Sequence, residues 1–171
     1  PTPCNYNYRQ RYEFYLDGRF RIACASIGRG CGNTGTYRPV FRIAFAGEQN
    51  SFYEYKESNW QLWQKEQWQL QGSLTQYTPE GYQYRIGEGT SGYFMEPGKG
   101  QFADGGRGDY AYVYVTKHTP GRDEGENDLV TIGPCCNTDY HQGPDKFIEP
   151  SPEDIRQGSL VVWYVAQMRN D

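Results

Sequence analysis

Apolar and polar residues alternate with a period of two along most of this chain, a spacing that predicts strands rather than helices. Tyr12, Phe14 and Leu16 alternate on one arm, and Phe20 and Ile22 on the other, around an Asp17-Gly18 pair. This arrangement predicts a β-hairpin closed by a two-residue type I′ turn, whose central positions both need positive φ. Beyond a Gly-rich loop from Gly28 to Gly35, residues 40–46 set Phe41, Ile43 and Phe45 on one face as a third strand, and 52–55 form a fourth. Within 58–71, Trp60 and Leu62 obey period two, as do Trp68 and Leu70, whereas a helical wheel scatters them and Trp63 around the circle. A second hairpin is expected there, with Lys65-Glu66 near its tip. Further strands are expected at 82–86, 93–96 and 110–116, the last with Tyr110, Tyr112 and Tyr114 on one face and Ala111, Val113 and Val115 on the other. Residues 160–166 are apolar throughout, the mark of a central strand covered on both faces.

Two turn-rich stretches, 97–108 and 117–152, separate the later strands, and loops of that length are usually functional or pinned by cross-links. The 171 residues suit one domain, spanning 1–171, with no internal repeat or linker. Sixteen Tyr, 8 Phe, 4 Trp and 21 Gly favour strands and tight turns. The fold expected is all-β, an antiparallel β-sandwich with long disulfide-pinned loops. A net charge of −4 and the lack of any Lys/Arg-rich run argue against nucleic acid as a partner. No stretch is long and apolar enough to span a membrane as a helix. The opening Pro1-Thr2-Pro3-Cys4 has neither the charged nor the apolar region of an export signal.

Five cysteines in a Tyr-rich, Lys-poor chain point to an oxidising setting: secreted, periplasmic or cell-surface. Cys4, Cys24, Cys31, Cys135 and Cys136 are the disulfide candidates, and the odd number leaves at least one thiol free or paired outside the chain. Either Cys24 and Cys31 close the Gly-rich loop they bracket, or each reaches the Cys135-Cys136 pair, whose adjacency disfavours a bond between them. The spacings contain no zinc-like Cys-x2-Cys, so no metal site is expected. His118 and His141 read as loop imidazoles, and no nucleophile motif accompanies them. The acidic run 122–128 reads as a solvated loop, and Arg107-Gly108-Asp109 as a chance match to an adhesion tripeptide. Trp60, Trp63 and Trp68 offer a ring platform for stacking a sugar, with core or interface packing as the competing assignment.

Asn5-Tyr6-Asn7-Tyr8, leading directly into the Asp17-Gly18 hairpin, resembles the copper amine oxidases, in which an Asn-Tyr-Asp/Glu-Tyr stretch precedes such a hairpin and its first Tyr becomes topaquinone. Residues 112–116 with Pro120 and Glu124, Gln142-Gly143, Asp145-Lys146-Phe147-Ile148, and Leu160-Val161-Val162-Trp163-Tyr164 are similar to that family's late strands and the loop between them. The middle, 47–105, matches only in β character. The resemblance implies a large sandwich of which this chain is a portion, with Tyr6 at the quinone-precursor position. The family binds copper through a His-x-His pair and a third His, since copper(II) suits imidazole. The corresponding regions here, 35–43 and 166–171, contain no His.

The expected function is therefore a non-catalytic, amine-oxidase-like structural or interaction domain with no cofactor, no metal and no catalytic residue, Tyr6 being vestigial. Its partners would be other protein chains, in an assembly or a homo-oligomer. The alternatives are a glycan- or ligand-binding module and, further off, a working amine oxidase.

Overall fold

The structure, a computed structural model, describes residues 4–28, 30–31, 35–89, 91–98, 110–120, 148 and 151–169. Its organising strand is β11 (Leu160–Val165), six consecutive apolar residues of which five are buried. A strand apolar on both faces must sit inside a sheet with both faces covered. Here β11 pairs with β4 (Val40–Ala44) on one side and β10 (Tyr112–Lys117) on the other, and β7 (Gln67–Leu70) completes the order β4-β11-β10-β7. A second four-stranded sheet has the order β6-β5-β8-β9, built from β5 (Ser51–Lys56), β6 (Asn59–Leu62), β8 (Tyr84–Gly87) and β9 (Tyr93–Met95). Two-stranded sheets pair β1 (Tyr8–Phe14) with β2 (Phe20–Ser26), and β3 (Thr36–Tyr37) with β12 (Met168–Arg169). Among the described residues every ladder is antiparallel, so the fold is all-β with antiparallel sheets.

Period two in β10 divides its side chains between two apolar clusters. Val113 and Val115, with Leu160 and Val162 of β11, meet Phe52, Tyr84 and Ile86 of the second sheet, together with Trp63 and Ile155. Tyr112, Tyr114, Val161, Trp163 and Val165 face the other way, where Ile148 joins them. On that side Trp163 pairs with Arg42 on β4 and with Tyr114 on β10, and Tyr114 in turn pairs with Trp68 on β7. One row of directly opposed side chains thus crosses all four strands. The Tyr114 and Trp163 rings stack 5.5 Å apart at 5°, and the Arg42 guanidinium lies 5.7 Å from the Trp163 ring. Cross-strand pairs of this kind contribute up to about 1 kcal/mol each beyond the area they bury.

The hairpin expected around Lys65-Glu66 does not form. β6 pairs with β5 and β7 with β10, so the chain leaves one sheet and enters the other between Leu62 and Gln67. Trp63 explains the crossing: it is out of phase with Trp60 and Leu62, and it is buried in the shared core with its indole N–H 3.2 Å from Glu54 Oε2. The crossing segment is held by residues 153–155, through Ile155 N–H to the Gln64 carbonyl and Glu66 N–H to the Glu153 carbonyl. Glu66 itself is buried, accepting the backbone N–H of Lys117 at 2.9 Å and of Glu153 at 3.1 Å.

A second polar chain joins the sheets through their interior. Tyr164 on β11 donates to Gln71, Gln71 to Gln83, and Gln83 to the Tyr84 hydroxyl. Both glutamines are fully buried, so each amide depends on this chain for partners. Burial, reinforced by the nearby Glu54 charge, holds the Tyr84 phenol well above its ordinary pKa.

The turns also differ from expectation. At the first hairpin only Gly18 has positive φ, at 87°. Its N–H reaches the Tyr15 carbonyl at 3.1 Å and Tyr15 N–H reaches the Arg19 carbonyl at 2.9 Å, a three-residue loop with glycine in the bulge position rather than a type I′ turn. Asp17 instead directs its carboxylate to the Arg19 N–H and guanidinium, whose hydrogen bonds hold its pKa down. Paired positive φ values occur at Glu57 (53°) and Ser58 (61°), which turn β5 into β6. Neither residue suits that region, where an L side chain costs about 1–2 kcal/mol.

Replacing Glu57-Ser58 by Asn-Gly is expected to raise stability by about 1 kcal/mol, read as a higher urea midpoint at unchanged slope. Above about pH 10 an unfolded Tyr84 ionises while the folded one keeps its proton, so its contribution falls as pH rises. Tyr84→Phe should flatten that alkaline decline in urea titrations across this range.

Candidate functional site

β1 and β2 form a hairpin whose two faces differ in chemistry. Tyr8, Tyr12 and Phe14 lie opposite Ser26, Ile22 and Phe20 on one face; Arg9, Arg11 and Glu13 lie opposite Ala25, Ala23 and Arg21 on the other. The aromatic face meets the body at two points: the Tyr8 ring lies edge-on to Tyr37 at 5.7 Å, and Phe20 to Tyr93 at 6.0 Å. Between them Tyr12 is 55% and Phe14 79% exposed. Burying one such ring is worth about 1.5–3 kcal/mol, so an exposed pair is a reservoir of binding energy.

At the base of the hairpin the chain approaches itself closely. Gly30 N–H reaches the Asn5 carbonyl at 2.9 Å, and Cys4 is disulfide-bonded to Cys31 with Cα atoms 4.7 Å apart. Tyr6 is half exposed, and its hydroxyl accepts the Cys31 N–H at 3.3 Å. Its ring rests on the Cα of Gly30, where a Cβ would collide with it and φ is +63°. Tyr6 stacks on Tyr8 at 6.1 Å, Tyr8 packs on Tyr37 of β3, and Tyr37 pairs with Met168 of β12. Partial burial, then a hydrogen bond with Tyr37, raises the Tyr8 pKa. Three segments far apart in sequence thus meet: the Asn5-Tyr6-Asn7-Tyr8 stretch, β3 and β12. The rings in contact there are the phenols of Tyr6, Tyr8 and Tyr37, with Met168 opposite Tyr37 in the ladder. None of these is an imidazole.

The remaining sequence candidates scatter. Cys31 pairs with Cys4, not with Cys24, which is a free, half-buried thiol whose pKa is raised by burial. A disulfide between Cys24 and Cys31 is therefore excluded: Cys24 lies within the β2 ladder opposite Gln10, and Cys31 lies beside the N-terminal arm. Trp60, Trp63 and Trp68 do not form one platform. Trp63 is only 3% exposed, Trp68 flanks Tyr112 on the other sheet, and Trp60 groups with Tyr55 and Phe94, which in turn touches Tyr82. His118 is half-buried at the end of β10, its N–H bonded to the Ser159 carbonyl. Cys135, Cys136, His141, the run 122–128 and Arg107-Gly108-Asp109 lie outside the described residues, as do most of the stretches 97–108 and 117–152.

Sequence reasoning missed β3 and β12, since a two-residue strand has too few positions for alternation to show. Among the described residues no group of three or more His, Cys, Asp or Glu is disposed to hold a metal ion, and no helix is long and apolar enough to cross a membrane. In comparison with known proteins, no family model, curated protein or solved structure matches the chain.

The Cys4–Cys31 bond closes a loop with a sequence separation of 27. Replacing both cysteines by serine should cost about 3 kcal/mol in urea unfolding, through the loop-closure entropy returned to the unfolded chain.

Proposed function

We propose that this chain is a non-catalytic, amine-oxidase-like β-sandwich that works outside the cytoplasm as a structural and interaction domain, as a subunit or processed piece of a larger assembly. The observation that carries the reading is that the Asn5-Tyr6-Asn7-Tyr8 stretch reaches β3 through Tyr8 against Tyr37, with β12 paired to β3. The resemblance to copper amine oxidases predicts that the quinone-precursor Tyr and the two ligand-bearing regions converge, and these are the segments that meet here. A shared core between the two four-stranded sheets supports the sandwich. The cluster offers phenols where that family has imidazoles. A neutral phenol is a poor ligand for copper(II), so Tyr6 stays an ordinary tyrosine that packs on Gly30 and caps the Cys31 N–H. Exposed aromatic area on β1 and its disulfide-anchored base support a contact role.

The test supplies what the chemistry would need. Purified protein incubated with copper(II) and oxygen should show no quinone staining at the Tyr6 peptide and no peroxide release on adding primary amines. A quinone at Tyr6 with amine-dependent peroxide would overturn the reading.

A further inference from the structure

Among the described residues, β1 bonds to a strand on one side only. Register fixes which of its backbone groups face the open side. Ile27 N–H reaches the Asn7 carbonyl and Tyr15 N–H the Arg19 carbonyl, so the odd-numbered residues between them direct their N–H and C=O groups to β2. Tyr8, Gln10, Tyr12 and Phe14 then aim theirs outward, as alternate residues of an antiparallel ladder must. The open edge and the aromatic face belong to the same residues.

We propose that a second copy of this chain adds to this edge, β1 pairing antiparallel with β1 about a two-fold axis through Tyr12 to give a four-stranded sheet, β2-β1-β1-β2. This deepens the interaction-domain reading and rests on it. Charge selects both the partner and the register. Outward groups on alternate residues allow the axis to pass through Gln10, Arg11, Tyr12 or Glu13. Through Gln10 it opposes Arg9 to Arg11 of the other copy, and through Arg11 or Glu13 it opposes like to like. Only the Tyr12 axis sets Arg11 opposite Glu13 of the other copy, twice, with no like charges facing. Those pairs fall at the non-hydrogen-bonded positions, where opposed side chains approach most closely. Glu13 already lies 3.2 Å from Arg11 and 3.7 Å from Arg21 of its own hairpin, which holds its carboxylate on the face where the second Arg11 arrives. On the opposite face Gln10 meets Phe14 of the other copy and the Tyr12 rings meet at the axis, covering side chains left exposed in the single chain. Unpaired edges are otherwise a liability for association with wrong partners.

Sedimentation velocity on the oxidised chain, from micromolar to several hundred micromolar, tests this. The wild type should dimerise reversibly. Arg11→Glu and Glu13→Arg, each alone, oppose like charges across the axis and should be monomeric, yet an equimolar mixture of the two should form a heterodimer. Tyr12→Pro removes an outward N–H together with an exposed ring, leaves the hydrogen bonds to β2 in place, and should give a folded monomer with thermal unfolding close to the wild type. A wild type monomeric throughout, a mixture that stays monomeric, or a dimer that survives Tyr12→Pro would each overturn the pairing. None of these results bears on the copper and quinone assays, so the two proposals fail separately.

Discussion

The pairing of β11 with β10 is the constraint on which the rest of the structure depends. Val161 to Val165 and Tyr112 to Val115 are apolar on both faces, so neither strand can lie at a sheet surface without exposing rings and branched side chains to water. Placing them side by side at the centre creates two burial problems at once. One is solved by the second sheet, whose Phe52, Tyr84 and Ile86 cover Val113, Val115 and Val162. The other is solved by the row Arg42, Trp163, Tyr114 and Trp68 with Ile148 above the sheet. Trp63, Glu66 and the glutamine pair then follow as consequences. A chain that must cross between two sheets sharing a core carries its backbone polar groups inside, and buried Glu66, Gln71 and Gln83 satisfy them or are satisfied in turn.

The β1-β2 hairpin stands in a different regime. Its strands contact the body through rings at Tyr8 and Phe20 and are tied at the base by one disulfide and a glycine that admits the Tyr6 ring. Few of its side chains are buried, so its stability is local, drawn from cross-strand pairs and loop closure rather than from the shared core. The element with the least burial is therefore the one with the most apolar surface to offer a partner.

Much of this was legible in the residues. Alternation located β2, β4, β5, β8, β9 and β10, and the unbroken apolar run at 160–166 marked β11 as central, because period and continuity depend only on which faces are covered. Partner choice was less legible. Trp60-Leu62 and Trp68-Leu70 read as two arms of one hairpin, and nothing local says that Trp63 between them is drawn into a core that gathers Phe52 and Tyr84 with residues as distant as Val162. Turn chemistry misled in both directions: Asp17-Gly18 carries the signature of a type I′ turn and builds a bulged loop, while the unfavourable Glu57-Ser58 pair occupies the left-handed region because β5 and β6 impose it. At the candidate site, the Asn5-Tyr6-Asn7-Tyr8 motif draws attention to Tyr6. Tyr37, which packs on the neighbouring Tyr8, and Met168 opposite it carry no such mark, since two-residue strands leave no pattern.

Native-state hydrogen exchange in dilute solution tests the division between scaffold and hairpin most directly. Amides of β10 and β11 should exchange only through global unfolding, with the same dependence on denaturant as the whole protein. Amides of Arg9, Arg11 and Glu13, bonded to β2, should exchange through a smaller opening that leaves the two four-stranded sheets intact. Hairpin amides as slow as those of β11, or β11 amides exchanging before them, would contradict the account.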